Sequence, residues 1–212
     1  MRLLAVGAHP DDIELGCGGT LALYKKKGHE VYTLVLTRGE ASGDPIVRQR
    51  ECEQAAKTIG VDKVFFGGLH DTKVTEGIET IMEIENVINS VKPDIVFSNS
   101  QKDQHQDHRN NGLASLSAAR NVQKVLLYES PAAFREFCPQ IFVNIDSTLN
   151  IKLKALEAYA SQASKRPFCS TNSHSESTRV VNASEGLALF RGFQAGVSVA
   201  EAFEVGKFLL DV

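Results

Sequence analysis

The chain contains no apolar run long enough to cross a bilayer, no block of basic residues and no Cys-x-x-Cys pair. Each absence removes a class of function. The longest apolar stretches are strand-length, which excludes a transmembrane helix. A net charge of −3 without a basic run leaves nucleic acid no electrostatic footprint. Cys17, Cys52, Cys138 and Cys169 stand far apart. A thiolate zinc knuckle is therefore unsupported, and a disulfide framework does not suit a chain of this length without a secretion signal. The four read as buried or half-buried free thiols. The N-terminal stretch Met1-Arg2-Leu3-Leu4-Ala5-Val6-Gly7 is too short for a signal peptide and runs straight into His9 and Asp11. A cytoplasmic protein is expected. There is no internal repeat and no low-complexity linker. The chain has 212 residues, 42% hydrophobic and 23% charged, enough for one substantial core. A single domain spanning 1–212 is expected, with the oligomeric state, homo-oligomer included, left open.

What is present alternates between strand and helix patterns. Leu3 to Val6 reads as a buried strand ending at Gly7, and Gly18 to Lys27 as a helix stopped by Gly28. Strands follow at Val31–Leu36, Lys63–Phe66, Asp94–Ser98 and Val125–Glu129, with a further candidate at Ile141–Ile145. Helices are expected over Ile46–Ile59, Glu76–Val91 (ended before Pro93), Asp107–Arg120 and Ser147–Ser161. Val197 to Leu209 fits strand or helix, and the polar stretch Ser164 to Ser175 reads as a long surface loop. Continuously apolar strands separated by helices imply an α/β, Rossmann-like, mostly parallel sheet with helices on both faces. Ligands of such sheets bind beyond the carboxyl ends of the strands.

Two stretches sit at those ends: Ala8-His9-Pro10-Asp11-Asp12 after the first strand, and His105-Gln106-Asp107-His108 after the fourth. A polar turn or a helix cap would account for either alone. Together, on one edge of one sheet, they point to a composite metal site. His9 and Asp12 offer a nitrogen and an oxygen three residues apart, and His108 is the natural third ligand. Two imidazoles and a carboxylate suit zinc and also accommodate iron(II) or cobalt. Asp11 diverges from Asp12, which leaves it free to act as general base and then as acid to a leaving amine. His105 shares a helical face with His108, from where it would donate to a developing oxyanion. Asp107 suits a hydrogen bond that orients one of the imidazoles. The glycines Gly16, Gly18 and Gly19 lack the third glycine of a dinucleotide fingerprint, and the adjacent carboxylates would repel a pyrophosphate. Close helix packing explains them.

The first signature, Ala8-His9-Pro10-Asp11-Asp12-Ile13-Glu14-Leu15-Gly16-Cys17-Gly18-Gly19-Thr20, and the second, His105-Gln106-Asp107-His108-Arg109, resemble those of the LmbE/PIG-L family of zinc-dependent N-acetylglucosaminyl de-N-acetylases. Leu36-Thr37-Arg38-Gly39-Glu40, Arg48-Gln49-Arg50-Glu51 and the closing Ala200-Glu201-Ala202-Phe203 are similar to further family segments. Gln106 departs from the family's more frequent proline, and Ser164 to Ser175 has no match. The resemblance implies the same ligands, His9, Asp12 and His108, with Asp11 as base and His105 as polarising histidine. It also implies sugar contacts from Arg48, Asp71 and Glu40. The expected reaction is removal of an N-acetyl group from a small amino sugar conjugate, giving acetate and a free amine. Two alternatives stand beside it: an amidase on another amide, and a non-catalytic metal- or sugar-binding subunit. Asp11 and His105 argue against the last, since binding alone requires neither.

Overall fold

The structure is a computed structural model that describes residues 1–163 and 176–210. Its strands are β1 (Arg2–Gly7), β2 (Glu30–Thr37), β3 (Lys63–Leu69), β4 (Ile95–Asn99), β5 (Lys124–Tyr128), β6 (Ile141–Asn144) and β7 (Ala200–Phe208). Its helices are α1 (Asp12–Lys26), α2 (Pro45–Ile59), α3 (Ile78–Val91), α4 (Gln106–Ala118), α5 (Leu149–Leu156), α6 (Ala160–Ala163) and α7 (Glu176–Ala195). A short 3-10 turn, Glu40–Ser42, precedes α2. The strands form one seven-stranded sheet in the order β3-β2-β1-β4-β5-β7-β6. β1 to β5 are mutually parallel, and β7 runs antiparallel to both of its neighbours. The mostly parallel α/β sheet is thus as expected.

Side chains of β1 alternate between two cores. Leu3 and Ala5 face Ile13, Cys17 and Leu21 of α1 and Cys52, Ala55 and Ile59 of α2. Leu4 and Val6 face Ile84, Val87 and Val91 of α3 and Ala114 and Ala118 of α4. Both faces of the strand are buried, which explains its uninterrupted apolar sequence. β1 pairs with β2 on one side and β4 on the other, so the strand order reverses there. Loops leaving β1 and β4 diverge at that point and open a crevice between them.

Two elements differ from expectation. α1 begins at Asp12, six residues before Gly18. Its glycines serve close approach, as expected: a Cβ on Gly16 would lie 2.0 Å from the Tyr128 ring, and one on Gly19 would lie 2.8 Å from Ile145. The helix expected over Ser147–Ser161 is two, α5 and α6. The ambiguous Val197–Leu209 segment is strand β7, whose first residues are buried between β5 and β6. Cys17 and Cys52 are buried free thiols as expected, whereas Cys138 is exposed. Cys169 and the polar Ser164–Ser175 stretch lie outside the described residues. Among the described residues no helix is long and apolar enough to cross a membrane.

Candidate metal centre

The loop after β1 is pinned from both neighbouring strands. The Ala8 carbonyl accepts from Thr37 N and Thr37 Oγ1 at 3.0 and 2.9 Å, and Ala8 N donates to Asn99 Oδ1. The Asp12 carboxylate then turns back to accept from His9 N at 2.9 Å. Between them Asp11 adopts φ 101° and ψ −24°. That left-handed conformation costs a non-glycine residue of order 1–3 kcal/mol and persists only where neighbours over-determine it. Arg48 supplies much of that constraint. Its Nη2 donates to the Pro10 carbonyl at 2.7 Å and lies 3.6 Å from Asp11 Oδ2, while Nη1 donates to the Gly39 carbonyl at 3.1 Å. Gly39 has φ 66°, and a Cβ there would fall 2.0 Å from Arg48 Nη1, so only glycine fits.

The loop after β4 is organised by Asp103. Its Oδ1 accepts from His105 N at 2.8 Å, and its Oδ2 accepts from Ser130 Oγ. His105 is the N-cap of α4, with Nδ1 accepting from Asp107 N at 3.2 Å. A neutral imidazole that accepts at Nδ1 carries its proton on Nε2.

At the crevice the two loops meet. His9 Nδ1 lies 3.3 Å from His108 Nε2 and 3.6 Å from Asp12 Oδ2, and His108 Nε2 lies 3.1 Å from Asp12 Oδ1. Each ring's other nitrogen faces carboxylates. His9 Nε2 is 3.1 Å from Asp71 Oδ1 and 3.3 Å from Asp107 Oδ2, and His108 Nδ1 is 3.1 Å from Asp103 Oδ2. A carboxylate behind an imidazole fixes its tautomer and aims the opposite lone pair, the usual arrangement around a histidine that binds metal.

The electrostatics agree. Burial alone would lower the pKa of His9, but hydrogen bonds to Asp107, Asp12 and Asp71 outweigh it and raise it to about 12. Burial opposes protonation of His108 as well, yet the charge on Asp12 and hydrogen bonds to Asp103 and Asp12 raise it to about 10. Asp12 is buried too, but the two imidazoliums hold its carboxyl well below the usual range. Four carboxyl groups thus surround two imidazoles, a surplus of negative charge that a divalent cation would balance. Three convergent N, N and O donors with this charge surplus suit such an ion. His9, His105 and His108, and separately His9, Asp71 and Asp107, also lie close enough to share one.

Asp11 sits beside the donors with 23% of its side chain exposed. Burial and repulsion from Asp12 push its carboxyl up to about 6, against the pull of Arg48 and the two histidines. The His105 ring stacks on His108 at 4.7 Å and meets His9 edge-on at 4.7 Å. Burial and the charges on His9 and His108 lower its pKa, which keeps it neutral.

The structure therefore brings His9, Asp11, Asp12, His105, Asp107 and His108 into one crevice. Of the residues proposed for sugar contact, Arg48 is 3% exposed and turned onto backbone carbonyls, and Asp71 is 8% exposed behind His9. Asp71 Oδ2 accepts from Ala41 N at 3.0 Å. Glu40 lies at the rim, where its Oε1 accepts from Asp71 N at 2.9 Å. Sequence reasoning missed Asp103 and Asn99. Asp103 stands two residues before His105, a spacing that offered a signal. Asn99 is a polar residue ending a buried apolar strand, and it accepts from Ala8 N, Asn111 Nδ2 and Tyr128 OH.

The sequence profile of GlcNAc-PI de-N-acetylase, PIG-L, matches residues 4–119, which include both loops. The uncharacterized deacetylase YaiS of Escherichia coli is 35% identical over 167 residues, covering 75% of this chain and 90% of that protein. The diacetylchitobiose deacetylase of Thermococcus kodakarensis is 27% identical over 192 residues, covering 76% of this chain and 70% of that protein. Among solved structures, the conserved protein TT1542 from Thermus thermophilus superposes with a TM-score of 0.85 at 28% identity, over 99% of this chain and 96% of that one. The hydratase GalB from Pseudomonas putida shares the fold, with a TM-score of 0.82 at 21% identity over 100% and 98% of the two chains.

Proposed function

The chain belongs to the GlcNAc-PI de-N-acetylase (PIG-L) family, and from that premise we propose that it is a metal-dependent hydrolase of amino sugar conjugates. It removes the N-acetyl group of an N-acetylglucosamine-type substrate, releasing acetate and a free amine. The carrying observation is the meeting of His9 Nδ1, His108 Nε2 and Asp12 from two loops, each ring backed by a carboxylate. In this reading those three residues hold zinc, and iron(II) or cobalt fits the same donor set. A divalent cation there supplies Lewis acidity toward water and toward the acetyl carbonyl.

The chain's own residues do the rest. Asp11 takes a proton from the attacking water and returns it to the departing nitrogen. A carboxyl raised to about 6 suits both directions near neutral pH. His105, neutral and protonated on Nε2, donates to the oxygen that gains charge as water adds. Asp103, Asp71 and Asp107 hold the imidazoles, and Arg48 holds the Pro10–Asp11 backbone that aims the base. Glu40, at the rim, remains available for a sugar hydroxyl.

The test is a panel of N-acetylglucosamine conjugates assayed for both products, amine and acetate, with and without a chelator. Equal release of both, lost on chelation and restored by added zinc, is expected. Turnover that survives thorough metal removal, or the absence of amine from every conjugate at any metal loading, overturns the reading.

A further inference from the structure

β7 carries two buried carboxylates three residues apart, and each grips one of the elements that form the crevice. Glu201 accepts from Gly19 N, Thr20 N and Lys152 Nζ at 2.9, 2.7 and 2.6 Å, holding α1, whose first residue is Asp12. Glu204 reaches the other loop. Its Oε2 accepts from Ser100 Oγ at 2.8 Å, and its Oε1 accepts from Lys102 Nζ at 2.7 Å and Cys138 N at 3.0 Å. Ser100 Oγ accepts in turn from Lys102 N at 3.0 Å, and the Lys102 carbonyl accepts from Phe134 N at 2.9 Å. The backbone on the N-terminal side of Asp103 is thereby fastened to β7 on one side and to the 132–138 segment on the other.

Asp103 is the group this fastening serves. It is 1% exposed, and its two oxygens face His105 N and His108 Nδ1. A swing of the Ser100–Lys102 backbone would move both histidines together. Small errors in such supporting contacts are costly, because a ligand set must be held to about 0.5 Å. A glutamate fully committed to a loop's side chains and to a neighbouring N–H, with a lysine to balance its charge, is more than sheet closure requires.

We infer that Glu204 is a positioning residue for the metal centre, acting through Ser100, Lys102 and Asp103 on His108 and His105. The inference rests on the metal-dependent reading above, and the test separates the two. Zinc affinity is measured on the full chain by competition with a chromophoric chelator. The His108 ring is followed in parallel by its 15N shifts. Glu204→Gln keeps the shape and removes the charge. It is expected to weaken zinc about 3- to 10-fold, less than the 10- to 100-fold typical of a direct partner to a ligand. It should also shift the His108 Nδ1 resonance and lower kcat with KM unchanged. Ser100→Ala, which removes one neutral arm and leaves the Lys102 pair in place, should move the same readouts in the same direction by less. Glu204→Gln/Lys102→Met should lose no more than the worse single variant. Ile84→Val, on α3 in the core against β1, serves as the control: it lowers thermal stability without altering zinc affinity.

If Glu204→Gln and Ser100→Ala bind zinc as the wild type does, with the His108 ring unchanged, the inference falls while the metal reading stands. If the wild type binds no zinc, both fall.

Discussion

Replacing Asp71 with asparagine separates two roles that the site offers for the same residue. A contact to the sugar places Asp71 on the substrate side of the metal centre. The structure puts it behind His9, with Oδ1 3.1 Å from Nε2 and Oδ2 accepting from Ala41 N at 3.0 Å. The His9 hydrogen bond leads the causes that hold its carboxyl below the usual range, so the charge is committed to that imidazole. An amide in its place has one acceptor oxygen for two donors. If the oxygen faces His9, the NH2 group opposes Ala41 N–H; if it faces Ala41, the NH2 group opposes His9. Either way a buried hydrogen bond is lost, along with its charge assistance.

Partners of this kind are worth about 10- to 100-fold in metal affinity, or about 1.4–2.8 kcal/mol at 1.4 kcal/mol per decade. Asp107 Oδ2, 3.3 Å from the same nitrogen, still supports the ring, which places the expected loss near the tenfold end. The assay pairs zinc affinity with kinetics at saturating zinc. Weaker zinc with KM restored at saturation is the expected result. Unchanged zinc affinity with a KM that stays raised at saturation would assign Asp71 to the sugar and refute the argument.

Asp11→Asn should retain zinc and lose about 10²- to 10⁴-fold in kcat, the usual span for a proton-transfer group; full turnover ends that assignment. His105→Ala should cost about 10²- to 10³-fold in kcat with little change in metal content, and parallel losses of both would speak against a polarising role. The raised pKa values of His9 and His108, about 12 and about 10, predict proton release on metal binding, because a ligand imidazole must be neutral. Both folded values exceed the ordinary 6.5, so their contribution to the ion-free fold is complete below about 6.5 and disappears as pH climbs through 10 and then 12. Zinc affinity should therefore strengthen with pH up to about 10, with about two protons released per ion below that pH. Calorimetry in buffers of different ionisation enthalpy measures that number, and a value of zero would mean the rings are already neutral.

The legible part of this protein is the part whose causes are local. Alternating strand and helix patterns define the parallel sheet, and each motif follows directly on a strand, so their common edge is predictable although nearly a hundred residues separate them. Donor chemistry is local too: His9, Asp12 and His108 are recognisable by residue type and spacing. Partnerships formed across the fold are not. Asp71 and His9 are 62 residues apart in sequence, and nothing near Leu69-His70-Asp71 indicates that its carboxylate turns inward to an imidazole. Arg48 stands as a sugar contact by resemblance, and nothing local shows that the left-handed turns at Asp11 and Gly39 bring two carbonyls to its guanidinium. Gly16 and Gly19 read as sites of close helix packing, but their partners, Tyr128 and Ile145, lie more than a hundred residues away and are not legible locally. The same holds for β7: its alternative helical reading fails only once β5 and β6 offer it paired edges. The shared fold of a hydratase shows why such distinctions matter. A crevice at the reversal of a parallel sheet can serve more than one reaction, and what suits this one to amide hydrolysis is its side chains: a carboxyl pushed up to about 6 beside the donors, and an imidazole that accepts at Nδ1 and so presents Nε2–H.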